Sequence, residues 1–453
     1  MRRRWFVGQG LAASAAVLGW GHLRSRPDGS SAAGGPPADG PQSLVIGAGL
    51  AGLACAQRLI AAGHAVVVLE ARQRLGGRIW TDRRQGWPIE LGASWLHGLE
   101  TNPLVDLVER QLKLPLLPTD DSSRITIGPD GQPWTAGRSA GADAWLAAAM
   151  ARAEADGRAD QPLRQLLPAQ LSGDQRFLLI ADVEHELGAD LDAIAADAPG
   201  GDGQELLGGD ALVPAGLDRL VAHLAQGVDI RLGQQVSQIN NRADGVTVTT
   251  AGGQVFQAQR LCCTVPLGVL QRGAIRFDPP LPAAKAQAIA QLGMGVLDKI
   301  VLVFGERFWG PQTWIRNDSA QPGLWAEWVD LTPLIGRPAL MGFNAASQAR
   351  QMARRSDDGI VASALGQLRR CYPQATIGAP LQVWLTRWGD DPFAFGSYSY
   401  PAVGPVPATA LRQELGRRWQ SLVLAGEAAS TAFPATMQGA YLSGREAAER
   451  LLA

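Results

Sequence analysis

The stretch from Ser43 to Arg72, SLVIGAGLAGLACAQRLIAAGHAVVVLEAR, constrains the fold more than any other part of the chain. Ser43 to Ile46 is a short apolar run suited to a buried strand. Gly47, Gly49 and Gly52 follow as G-x-G-x-x-G, and Leu50, Leu53, Ala56, Leu59 and Ile60 recur at helical spacing. Gly63 ends that helix, and Ala65 to Leu69 reads as a second buried strand closing on Glu70. Strand, glycine turn, helix, strand and terminal acid together make a βαβ dinucleotide fingerprint. The three glycines have different tasks: a tight turn, close approach of backbone to a pyrophosphate, and close packing of helix on strand. The helix N-terminus offers free N–H groups and partial positive charge to phosphates. Glu70 is placed to accept ribose hydroxyls and would repel a 2′-phosphate. The fingerprint alone does not separate NAD from FAD.

With 453 residues the chain exceeds a single simple core, so two domains are expected. A formal net charge of −1 argues against a nucleic-acid binder. Cys55, Cys262, Cys263 and Cys371 form no C-x-x-C pair, and the five histidines share no ligand spacing, so no metal is expected. No apolar run long enough to cross a bilayer interrupts the body of the chain. At the start, Arg2-Arg3-Arg4-Trp5-Phe6-Val7 precedes a mild apolar run, Leu11 to Trp20, and a Gly/Pro/Ser-rich stretch, Ser25 to Gly40. This resembles a twin-arginine export signal and predicts the export machinery as partner and a periplasmic location. No convincing A-x-A cleavage site follows, which bears on cleavage more than on export, and an accidental basic start or an uncleaved anchor is the competing reading.

Residues 102 to 200 read as mainly helical, with helices over Asn102–Leu112, Asp143–Ala155, Pro162–Leu167 and Gly173–Leu187. A helix is expected over Ala211–Ala225 and strands over Val228–Leu232, Val236–Asn240, Val246–Thr250 and Val255–Ala258. Arg260–Pro266 reads as a return to the first sheet. Val296–Phe304, Ala339–Phe343 and Leu381–Thr386 form a second strand set, with a helix over Asp357–Cys371. Leu422–Glu427 and a helix over Thr436–Leu452 close the chain. The fold class is α/β: a discontinuous Rossmann-like nucleotide domain from 42–100, 201–275 and 396–453, and a substrate domain of mixed sheet and helices from 101–200 and 276–395. Residues 1–41 are signal and linker.

Lysine is rare, with only Lys113, Lys285 and Lys299. Lys299 sits in VLDKIVLVF, sharing a strand face with Val301 and Val303 while Ile300, Leu302 and Phe304 line the other. Apolar faces on both sides predict a buried lysine with a lowered pKa, useful for moving a proton or holding a water. An edge-strand gatekeeper is the competing reading. Two aromatic segments, Trp384 to Tyr400 and Ser430 to Ala440, offer rings that suit an amine through packing and cation–π attraction.

Six motifs in order, GAGLAG…LEAR, LGGRIWT, ELGASWLHG, LGMGVLDKIVLVF, TRWGDDPFAFGSYSY and AGEAASTAFPATMQGAYLSG, resemble the flavin-containing amine oxidases of the polyamine oxidase and lysine-specific demethylase branch. The resemblance covers the chain from about residue 42 to its end. It implies FAD, non-covalently bound because Ser397 stands where covalent relatives carry cysteine. The implied cofactor residues are Gly47, Gly49, Leu50, Ala51, Gly52, Glu70, Ala71, Arg72, Gly77, Arg78, Gly92, Ala93, Ser94, Trp95, Val236, Trp388, Gly426, Glu427, Thr436, Met437 and Ala440. Glu70 would hold the adenosine ribose, Arg78 the pyrophosphate, Glu427 the sugar-alcohol linker, and Gly92 to Trp95 the flavin ring. Lys299 matches the lysine that holds a water near the reactive nitrogen. Tyr398 and Phe433 fall on the aromatic sandwich, and Trp388 beside the ring.

The implied reaction oxidises a carbon–nitrogen bond of a small amine such as spermidine or spermine. Dioxygen is the acceptor, and aldehyde, amine and hydrogen peroxide are the products. Trp95, His97, Glu100, Glu184, Tyr398 and Phe433 are the candidate substrate residues, with Glu186 a further acid for distal charges. Phe433 replaces a frequent Tyr, and Ala428-Ala429 a frequent His-Thr, which bears on substrate preference. An L-amino-acid or tryptophan-type oxidase is the first alternative, although no carboxylate clamp stands out. A redox-silent FAD-binding scaffold is the second. The absence of a coiled-coil insertion argues against a chromatin role.

Overall fold

Five parallel strands organise the computed structural model, which describes residues 41–201 and 203–453. Their order is Leu422–Leu424, Arg260–Cys263, Ser43–Ile46, Val66–Leu69 and Asp229–Arg231. Ser43 pairs with Arg260 on one side and Val66 on the other. Apart from the leading Ser43 and Arg260, the strands at the centre are apolar because both faces are covered. Val45, Val68, Cys262 and Val423 pack beneath helices Leu50–Ala61 and Met437–Leu452. Leu44, Val67, Leu261 and Leu422 face the opposite layer, where Ala288, Ile289, Leu411 and Leu415 pack.

That second layer continues past residue 275. Arg276–Asp278 pairs in parallel with Val236–Arg242, and the helix Ala283–Gln291 packs into the nucleotide-side core. The expected helix over Ala211–Ala225 is corrected. Asp210–Leu212 is a strand paired with Trp95–His97, and the helix is only Asp218–Leu224. Pro214 has no N–H to give a helix, and Gly216 takes a positive φ of 88° that turns the chain first.

A six-stranded sheet runs in the order Gln382–Leu385, Leu297–Val303, Ala339–Ala345, Glu327–Asp330, Trp314–Asn317 and Arg124–Ile127. Its last strand comes from the region read as mainly helical, and Leu117–Thr119 is a further strand there. Arg124–Ile127 is only four residues long, and its buried residues, Thr126 and Ile127, are consecutive rather than alternating, which leaves little strand signal to read. The strand bearing Lys299 is flanked on both sides, so the edge-strand reading fails. Helices Ala136–Asp156 and Gly173–Leu179 build a separate core around Phe177, Leu178 and Met150. Among the described residues, no helix is long and apolar enough to cross a membrane. The expected export signal lies in residues 1–40, outside the described residues.

Candidate functional site

The C-terminal ends of three parallel strands open onto one cavity, where ligands of such sheets bind. The strand Ser43–Ile46 delivers Gly47, Val66–Leu69 delivers Glu70, and Leu422–Leu424 delivers Gly426 and Glu427. The glycines divide their tasks as the fingerprint requires. Gly47 turns at φ +100°, and a Cβ there would lie 2.6 Å from Thr264 Oγ1. A Cβ on Gly52 would lie 1.9 Å from the Gly47 carbonyl oxygen, so helix and turn touch. A Cβ on Gly49 would meet nothing closer than 3.8 Å, leaving that backbone open to the cavity. Helix Leu50–Ala61 starts at Gly49 with no side-chain cap, so its first N–H groups are left to a ligand.

Glu70 is buried and already oriented. Its carboxylate accepts the Ala48 amide at 2.8 Å and the Arg72 amide at 2.8 Å, and each oxygen keeps a lone pair for a hydroxyl. Arg72 is bound at 2.6 Å by Asp391, and its guanidinium lies 5.2 Å from the Phe393 ring centroid. Arg78 donates to Glu427 at 2.7 Å and to the Ser397 carbonyl at 3.1 Å. Burial works to raise the Glu427 pKa. Arg78, the Ser399 hydroxyl and Arg412 outweigh it and hold the carboxyl below its ordinary value. Thr436 caps the last helix by accepting the Gly439 amide at 2.9 Å, which turns Thr436, Met437 and Ala440 onto the cavity wall.

Lys299 is buried where the two halves of the cavity meet. Its ammonium nitrogen donates to the Gly92 carbonyl and, at 2.6 Å, to Ser94 Oγ. It lies 5.8 Å from the Trp95 ring centroid and 6.0 Å from that of Phe343. Burial pushes its pKa down to about 7, with Glu90 opposing the fall. Glu90, held by Thr81 Oγ1 and the Leu217 amide, is pushed up to about 7 by burial. Beside Lys299, Asp298 accepts the Trp388 amide at 2.7 Å and the Thr386 hydroxyl at 3.0 Å. Trp388 in turn donates its indole N–H to the Leu91 carbonyl at 3.0 Å.

Beyond Lys299 the wall becomes aromatic and acidic. Trp95 stacks on Trp314 at 5.8 Å between centroids and leans on Phe343 at 6.2 Å. His97 Nδ1 meets Asp210 at 2.7 Å from the paired strand. His185 Nδ1 meets Glu327 at 3.0 Å, and Tyr398 donates its hydroxyl to the His185 carbonyl at 2.6 Å. Among the described residues no group of histidine, cysteine and acid side chains is arranged to hold a metal.

Most of the sequence-predicted residues therefore meet at one cavity: Gly47, Gly49, Leu50, Ala51, Glu70, Ala71, Arg72, Gly77, Arg78, Gly92 to Trp95, His97, Val236, Lys299, Trp388, Tyr398, Gly426, Glu427, Thr436, Met437, Ala440 and Glu186. Gly52 packs beneath the wall rather than lining it. Phe433, Glu100 and Glu184 are not in the wall. Glu100 is exposed, and Glu184 is turned to accept the Leu191 amide at 3.1 Å. Among the wall residues that sequence reasoning missed are His185, Asp210, Trp314, Glu327 and Phe343 at the far end, which lie far apart in the chain and share no motif.

The model of the family described as "Flavin containing amine oxidoreductase" matches residues 50–193 and 136–452. The chain is 34% identical over 436 residues to Polyamine oxidase 2 of Arabidopsis thaliana, covering 90% of this chain and 87% of that protein. This chain belongs to the flavin-containing amine oxidoreductases. It is also 36% identical to Lysine-specific histone demethylase 1 homolog 3 of Oryza sativa subsp. indica, covering 89% of this chain and 53% of that longer protein. A solved structure of putrescine oxidase bound to putrescine shares the fold, with TM-score 0.75, 22% identity, and 91% and 99% coverage of the two chains. The cofactor of this amine oxidoreductase is FAD, and the enzyme acts on CH–NH or CH–NH2 groups. The cavity fits a dinucleotide: an uncapped helix N-terminus beside an open glycine, and a buried carboxylate prepared by two amides.

Proposed function

We propose that the enzyme is a polyamine oxidase, cleaving a carbon–nitrogen bond of an extended amine with dioxygen as acceptor and releasing aldehyde, a smaller amine and hydrogen peroxide. The observation that carries this reading is the charge of the cavity wall. Its two arginines, Arg72 and Arg78, lie at the nucleotide end and are each engaged by an acid. The far end is lined by rings together with Glu186, Asp210 and Glu327. Such a wall attracts a cation and offers no guanidinium to a substrate carboxylate, which sets an amino-acid oxidase second. Polyamine oxidases among the relatives support the same reading.

In this proposal the five-stranded sheet and its helices form the FAD-binding part, and the six-stranded sheet with the helical region forms the substrate part. Glu70 takes the ribose, Gly49 and the first turn of Leu50–Ala61 take the phosphates with Arg78, and Met437 presents its amide to the ring. FAD, when bound, supplies the two-electron acceptor for the carbon–hydrogen bond beside nitrogen. Binding is non-covalent: Ser397 Oγ is bonded to Leu297 on both sides, at 2.9 Å each, and none of the four buried cysteines lines the cavity. Trp95, Trp314, Phe343 and Tyr398 orient the amine and exclude water. Neutral Lys299 spends two N–H groups on Gly92 and Ser94 and keeps one lone pair to hold a water or take a proton. The amine reacts unprotonated, so rate rises with pH toward the substrate pKa.

Mixing the protein anaerobically with spermidine, spermine, putrescine and a panel of L-amino acids tests the reading. Bleaching of the flavin by polyamines and not by amino acids supports it. The reverse pattern establishes an amino-acid oxidase, and no bleaching by any amine establishes a scaffold. Export by the twin-arginine route is part of the same proposal. It predicts that replacing Arg3 and Arg4 with lysine retains the enzyme in the cytoplasm.

A further inference from the structure

Lys299 is tied at its backbone and at its tip to one carboxylate outside the cavity wall. Asp298 precedes it on the strand Leu297–Val303, and strand alternation turns the two side chains apart. Asp298 is buried and does not line the cavity. One of its oxygens, Oδ1, accepts both the Trp388 amide at 2.7 Å and the Thr386 hydroxyl at 3.0 Å. Two arms run from those donors back to the lysine. Along the first, Thr386 Oγ1 accepts the Lys299 backbone N–H at 2.8 Å, and the Thr386 amide donates to the Lys299 carbonyl at 3.1 Å. Along the second, the Trp388 indole N–H donates to the Leu91 carbonyl at 3.0 Å. The next carbonyl, that of Gly92, accepts the Lys299 ammonium.

The other oxygen of Asp298 makes the arrangement unusual. Oδ2 is buried and has no hydrogen-bond partner among the described residues. Asn344 stands directly opposite Asp298 on the neighbouring strand, and its Nδ2 is likewise buried without a partner there. Burial pushes the Asp298 pKa up to about 7 against the Trp388 amide and the Thr386 hydroxyl. A buried carboxyl with one oxygen unpaired is unfavourable. An apolar side chain would avoid that penalty but would release both donors. A lysine side chain has several rotatable bonds, so a fixed tip needs its backbone and its acceptors held together.

We infer that Asp298 is a positioning residue for the oxidation: through Thr386 and Trp388 it fixes the Lys299 amine, and the water or proton that amine handles, at one place beside Trp95 and Phe343. The inference rests on the amine oxidase reading and on the part that reading gives Lys299. Because Asp298 lies outside the cavity wall, it acts on the rate of flavin reduction and not on amine affinity.

A double-mutant cycle tests this, read by anaerobic stopped-flow reduction of the bound FAD with spermidine, spermine and putrescine. Asp298→Ala is expected to lower the limiting reduction rate by about 10- to 100-fold, as displacement of a reacting group by about 1 Å does, while the apparent Kd for the amine stays within about twofold. Asp298→Asn keeps an oxygen for both donors and restores most of the rate. In a Lys299→Met background, Asp298→Ala has no further effect, because it acts only through the lysine. Tm and FAD content are measured on every variant, and rates are taken per bound FAD. If Asp298→Ala does not fold or load FAD, Thr386→Val takes its place in the cycle, severing the first arm while keeping the side-chain shape. Equal slowing with and without Lys299, a change confined to the amine Kd, or no slowing at all overturns this inference alone. Reduction by no amine in the wild type overturns the parent reading and this inference with it.

Discussion

Two buried lysines make the most instructive contrast in the molecule. Lys285 is 2% exposed and Lys299 6% exposed, and burial lowers both pKa values, to about 8 and about 7 respectively. Their partners differ. Lys285 donates to three backbone carbonyls, those of Glu414, Leu415 and Arg417, at 2.7, 3.0 and 2.8 Å. Those carbonyls end the helix Ala408–Gly416, so the ammonium satisfies all its donors and caps a helix terminus. Lys299 has only Gly92 and Ser94 and borders the cavity. One lysine is saturated and structural; the other keeps a valence for chemistry. Burial alone does not identify a functional lysine, whereas the count of its partners does.

The largest effect expected from this contrast is on turnover. Lys299→Met is predicted to slow anaerobic flavin bleaching by about 10²- to 10⁴-fold, the usual worth of a positioned proton-transfer group. FAD content and Tm stay near wild type, since methionine suits a pocket lined by Trp95 and Phe343. Wild-type bleaching rates in this variant would erase the distinction between the two lysines. Lys285→Met is the mirror experiment. It leaves helix-end carbonyls buried without donors, at a cost of about 1–3 kcal/mol each where no water replaces the ammonium. The expected result is a lower Tm with unchanged turnover per bound FAD. A variant as stable as wild type would show that the three bonds contribute nothing net.

The smallest expected effect is a shift in pH dependence. The negative charge of Glu90 raises the Lys299 pKa against the effect of burial. Removing it by Glu90→Gln lowers that pKa further. The limb of the kcat profile that requires neutral Lys299, expected near pH 7, therefore moves to lower pH. Because burial places Glu90 itself near 7, its influence fades as pH falls through that value and it becomes protonated. A limb that stays in place, or moves upward, would assign that ionisation to another group.

The nucleotide end of the cavity was readable because its parts are contiguous. Gly47, Gly49 and Gly52 form one turn, Gly92 to Trp95 one loop, and Thr436 to Ala440 one helix start, so neighbours in sequence stay neighbours in space. Lys299 was readable as a lysine amid apolar residues on both faces of a strand. The substrate end was not. His185 and Glu327 come from a helix and a strand, and each alone reads as an ordinary surface residue. Glu184 was chosen as a wall acid and His185 was not, although they are adjacent. Successive helical positions point in different directions, about a quarter turn apart, and only the packing around Ile180–Glu184 decides which faces inward.

The amino-acid order by itself determined the dinucleotide fingerprint, the buried strands around it, the family and hence FAD, because backbone phosphate cradles and apolar periodicity are local properties. It predicted a buried Lys299 but left an edge strand as the competing reading. Tertiary structure alone decided that the strand bearing Lys299 lies inside a six-stranded sheet, that Arg124–Ile127 completes that sheet, and that Arg316 falls opposite Glu327. Those facts depend on strand register between segments far apart in the chain. Register is set by the joint burial of many side chains, and no single segment encodes it.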